Sequence, residues 1–146
     1  MTRQDRHSVF VNDWMEQIVR PLTQSRMVQT WEDAFTAMWR RAHLTLGEVT
    51  LSAIVDRVLY NAKERLPILS SLKVAPTGLD IGDLRERADG LPGEQIWGAM
   101  QFVLIEFLTV LGNLTAEILT PALHAELLAI DGKPHNVQRN DEDAKS

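Results

Sequence analysis

Between Ile96 and Leu111 the chain is apolar in almost every direction that a helix can present. Ile96, Ala99, Met100, Phe102, Val103, Leu104, Ile105, Phe107, Leu108, Val110 and Leu111 leave little room for a solvent face. A helix of that kind must be covered on most sides, by a bundle around it or by a bilayer. The segment is shorter than the roughly 20 residues a membrane span needs, and Gln101 and Glu106 interrupt it. It therefore reads as the core helix of an all-α protein, with no membrane span.

The stretches that cover it carry the helical period. Phe10, Trp14, Ile18 and Leu22 recur at four-residue spacing beside Val11, Met15 and Val19, with Ser8 as a cap and Pro21 as the stop. Thr30 and Asp33 make a weak capping box before the stripe Trp31, Ala34, Phe35, Met38, Trp39 and Ala42. Thr45 and Glu48 make a second before Leu51, Ile54, Val55, Val58, Leu59 and Ala62. Pro67 ends that helix or starts a new turn at Ile68–Leu72. Pro76, Gly78 and Gly82 mark residues 73–82 as a loop. A short helix then runs through Leu84–Ala88, capped by Asp80 or Asp83, and Pro92 opens the long apolar one.

That last helix is expected to reach Ile130, ahead of Asp131-Gly132-Lys133-Pro134. Gly112-Asn113 is a weak spot in it. Thr120-Pro121 reads either as a kink or as the start of a new helix. The expected architecture is a bundle of four to six helices with a long, very apolar C-terminal helix. It forms one domain over residues 8–131, with a flexible N-terminus over 1–7 and a disordered tail over 132–146.

The chain has 146 residues and 45% of them are apolar, enough for a core without staples. It has no cysteine, which excludes disulfide scaffolds, thiolate metal sites and thiol nucleophiles and agrees with a cytoplasmic location. Its net charge of −5 argues against nucleic-acid binding. No Gly-x-Ser-x-Gly, nucleotide fingerprint or P-loop is present. These absences argue against an enzyme, and no catalytic residue is assigned.

One polar strip stands out. If the last helix is continuous, Glu106, Thr109, Asn113, Glu117, Thr120 and His124 fall within roughly 80° of one another. Such a strip is a solvent face, a dimer seam or a ligand site, and the candidate ligand-binding residues are Glu106, Asn113, Glu117, His124 and Trp97. The chain has no Glu-x-x-His motif, so a di-metal carboxylate bundle is not indicated and no metal ligand is assigned. His7, His43 and His135 read as isolated surface residues.

The function expected is a non-enzymatic interaction, dimerisation or sensory and regulatory module of the signalling type. The partner expected is a second copy, joined through the apolar helix with Leu108 on the seam; a different protein partner is an alternative. A small apolar ligand or a haem-like cofactor, with His124 or His43 as axial ligand, is the second reading. A metal-dependent bundle enzyme using Glu106, Glu117 and His124 is the third.

Overall fold

The computed structural model describes residues 3–75 and 78–130, and it is an all-α bundle. Six α-helices are present among these residues: α1 (Arg3–Trp14), α2 (Gln24–Leu46), α3 (Glu48–Arg65), α4 (Gly82–Arg87), α5 (Gly93–Leu114) and α6 (Thr120–Leu128). A π turn, Met15–Val19, extends α1 to the Arg20-Pro21 turn. The expected tail and its Asp131-Gly132 stop lie outside the described residues.

The course of the helices follows from contacts along α5. The C-terminal end of α5 lies near His7, and its Gln101 bonds Asn12, so α1 runs antiparallel to it. Asn61 bonds Glu106 and Arg65 stacks over Phe102, so α3 is antiparallel as well. Phe35 packs on Phe107 at mid-height with ring centroids 4.5 Å apart. Gln24 bonds the carbonyls of Ala88 and Leu91 just ahead of α5, so α2 runs parallel to it. The result is α5 flanked by α1 and α3 and backed by α2. α6 turns back to pack on α2 and α1.

The apolar stripes read from the sequence are the buried faces. Val11, Trp14, Met15 and Val19 of the first helix, Trp31 to Ala42 of the second, and Leu51 to Ala62 of the third form one core with α5. Nine residues of α5 are buried, Leu108 among them. A fully buried Leu108 lies in this chain's own core, which rules it out as a seam residue. By length and composition α5 could cross a membrane, the one such helix among the described residues; half of its most apolar stretch is covered by the bundle itself.

Several boundaries differ from those expected. α1 begins at Arg3 and not at Ser8, so residues 3–7, expected to be flexible, belong to the helix. α2 begins at Gln24, capped by Thr23, whose Oγ1 accepts the Arg26 amide at 3.3 Å; Thr30 is buried inside the helix. Propensity favours starting the helix as soon as the chain is clear of Pro21, and the first stripe residues are then Met27 and Val28. The second capping box fails too. α2 runs on past Thr45, and the joint to α3 is made by Gly47 at φ +81°, a conformation glycine adopts without strain.

The expected loop contains a small hairpin, β1 (Lys73–Ala75) and β2 (Gly78–Asp80), with Val74 opposite Leu79. It closes the side of α2 and α3. A Cβ at Gly78 would meet the Trp39 ring at 3.3 Å, and the backbone there has φ +123°. Glycine is required on both counts.

Candidate functional site

The continuous last helix does not exist. The chain breaks after Leu114, and the break brings Glu117 and His124 together by a different route. The Glu117 amide donates to the Gly112 carbonyl at 2.7 Å, the six-to-one bond of a Schellman turn. Ala116 occupies the left-handed position at φ +54°, and Glu117 follows at +66°. Two consecutive non-glycine residues in this region are costly, and such turns persist where their surroundings fix them. Thr115 helps by donating its hydroxyl to the Leu111 carbonyl at 2.8 Å. α6 then starts at Thr120, with Pro121 in its first turn, where a missing amide costs nothing.

The turn folds the Glu117 side chain back over the end of α5. Its carboxylate lies where Gly112 has no side chain: a Cβ there would stand 2.7 Å from both oxygens. Oε1 accepts the Thr120 hydroxyl and lies 3.3 Å from His7 Nε2, an ion-pair distance without hydrogen-bond alignment. His7 is 1% exposed. Its other nitrogen, Nδ1, meets His124 Nε2 at 3.3 Å, with the rings perpendicular. Phe10, one turn along α1, stacks on His124 at 3.8 Å between ring centroids. Glu117, His7 and His124 thus form a chain of three ionisable groups tying α6 and its turn to α1.

Burial lowers the basicity of both rings. His7 is depressed by desolvation, which outweighs attraction to Glu117; Arg6 lowers it further. His124 is pushed down to about 4 by desolvation first, then by His7, with Glu117 opposing and Arg6 adding to the depression. Both imidazoles are neutral at neutral pH. His7 offers one nitrogen to each neighbour, so the donors line up in a row and do not converge on one point. Among the described residues no group of three or more histidines and carboxylates is placed to hold a metal ion.

The other expected site residues lie elsewhere. Glu106 accepts from Asn61 at 3.2 Å across α3 and α5, well away from Glu117. Asn113 is exposed at the last turn of α5. Trp97 lies at the other end of α5 under the Arg20 guanidinium, 4.4 Å from the ring centroid, in a cleft of about 490 Å³. His43, read as a surface residue, packs at the Trp39 ring. The metal-enzyme trio of Glu106, Glu117 and His124 is therefore not assembled. Neither His124 nor His43 lines the Trp97 cleft or the three open clefts along α5 and the end of α3.

His7 is the residue that sequence reasoning misplaced. A signal for it exists: His7, Phe10, Val11 and Trp14 continue the helical stripe one turn further back.

A second feature lies along the uncovered side of α5. Gly98, Gln101, Phe102, Ile105 and Glu106 floor an open groove of about 480 Å³ between Ser8 of α1 and Arg65 and Leu66 at the end of α3. Leu66 and Gly98 also line an adjoining cleft of about 510 Å³ that continues past Ile68 and Leu91. A Cβ on Gly98 would touch nothing. Phe102 and Ile105 are only half-buried there.

No protein-family model matches this chain, and no curated protein or solved structure matches it significantly.

Proposed function

We propose that the chain is a non-enzymatic helical interaction module that pairs with a second copy of itself through the open face of α5. The observation that carries this reading is the groove. Gly98, Phe102 and Ile105 form an accessible apolar floor on the helix whose sequence demands cover on all sides. Val9 on α1 and Tyr60 on α3 add exposed apolar surface on the two flanking helices. The polar groups suit self-association. Arg65 and Glu106 both line the groove, so a two-fold copy can set each Arg65 against the Glu106 of its mate. A strongly charged foreign partner would find no matching field there. In this reading the module acts by assembly, in a regulatory capacity, without turnover.

Native mass spectrometry and light scattering across protein concentrations test it. The wild type is expected to be a dimer, and Ile105→Arg a monomer with unchanged helix content. A wild-type protein that stays monomeric at 100-fold dilution steps up to about 100 μM, the range of weak transient pairs, would sink the proposal.

A further inference from the structure

We propose that the His7–His124 contact is a proton-operated latch for α6: neutral imidazoles hold the helix on α1, and protonation of the pair releases it. Geometry supplies the reason. The facing nitrogens are 3.3 Å apart and share a single proton. One of them must be bare, so the contact cannot survive when both rings are charged.

The charges around the pair make the second proton the decisive one. α1 supplies Arg6 as well as His7, and the turn between α5 and α6 supplies Glu117; no charge from α2 or α5 acts on His124 among the described residues. A first proton on His7 is compensated by the Glu117 carboxylate beside Nε2. A second, on His124, meets an imidazolium and Arg6 with no further anion among the described residues. Desolvation depresses both rings in the docked state, while a released α6 returns them to water. Between about pH 6.5 and 4 the released state therefore binds more protons, and release grows as pH falls.

The turn that carries α6 is strained in the docked position. Ala116 and Glu117 hold left-handed conformations that the Glu117 contacts help to fix, so loosening those contacts lets the turn relax. Release would uncover Leu119, Leu123 and Leu127, all buried in the docked state, and with them the part of α2 they cover. The exposed apolar surface is the output of the device.

The absence of native cysteine allows a direct distance measurement. Spin labels on Gln17→Cys, in the π turn that extends α1, and Ala125→Cys, both exposed positions, report the separation of that turn and α6. The expected result is one narrow distance distribution at pH 7.5 and a second, longer population at pH 4.5, with most helical circular dichroism retained. The released fraction should rise by about tenfold between pH 7 and pH 5, allowing for the partial exposure of His124. His124→Phe, which keeps the stack on Phe10, should hold the narrow distribution at both pH values; His124→Gln serves if that variant does not fold. Glu117→Gln, lacking the compensating charge, should move release to higher pH. A single narrow distribution in the wild type at pH 4.5 overturns the proposal. So does loss of all helical signal in step with the distance change, or a response that persists in a folded His124 variant.

Discussion

Two of the aromatic contacts in this bundle work by different physics. At mid-height Phe35 packs on Phe107, inside a core of Leu, Val, Met and Trp. At the corner Phe10 packs on His124, which leans on His7 and through it on Glu117. The first contact is held by apolar area and packing, and nothing in it titrates. The second joins the same kinds of rings with ionisable atoms in the interface. It is as well buried at His7 as the core is, but its strength depends on the proton concentration. The difference teaches that burial alone does not say how firmly two helices are joined.

Substitutions should separate the two. Phe107→Ala empties a site on the central helix and should cost about 3–5 kcal/mol in urea denaturation, by the same amount at pH 7.5 and pH 5. Glu117→Ala should cost less, about 1–3 kcal/mol, because it leaves the part-buried Thr120 hydroxyl without its acceptor and removes the carboxylate that compensates a charged His7. That loss should depend on pH, unlike the loss at Phe107. The wild type itself should lose stability as pH falls from about 6.5 toward 4, and His124→Phe should flatten that slope. A Phe107→Ala variant as pH-sensitive as the Glu117 variant would erase the distinction between the two contacts.

The smaller effects refine the corner. Ala116→Gly should stabilise by about 0.5–1 kcal/mol, since glycine takes the left-handed position without strain. Gly112→Ala gains helix propensity of about 1 kcal/mol but puts a methyl against the Glu117 carboxylate. Its net stability change should be near zero at pH 7.5, while its pH dependence should move toward that of Glu117→Ala. Smallest of all is Arg20→Ala. It removes an exposed pair with Glu16 and a stack on Trp97, and urea denaturation should register almost no loss of stability.

The same contrast explains what could be read from the sequence. The core was legible because apolar periodicity is a direct record of burial. Val11, Trp14 and Met15, then Trp31 through Ala42, then Leu51 through Ala62 are the buried faces, and the Thr120-Pro121 pair does begin a helix. The corner was not legible, because its cause is a turn without a signature. Helices that end in a left-handed residue usually carry glycine there, and this one carries Ala116-Glu117. Gly112-Asn113 and Thr120-Pro121 offered two places for a break without choosing between them, and only on a continuous helix did Glu106, Asn113, Glu117 and His124 project onto one strip. The break scatters Glu106 and Asn113 and joins Glu117 to a histidine more than a hundred residues away. The capping boxes at Thr30 and Thr45 misled for a related reason. The first sits within uninterrupted apolar period and tertiary packing carried α2 straight through it; the second lies at a true joint between helices, but Gly47 makes that joint and Thr45 does not cap it.

The bond between His7 and His124 spans 117 residues. A ribosome releases His7 long before His124 exists, so the first helix must emerge with that face uncovered. Non-local contacts of this span close late, after the local helices have formed and the loop entropy has been met. Among the described residues the corner is thus a late seam to shut during synthesis, and a nascent chain that has not yet closed it still shows the apolar side of α2 that α6 will cover.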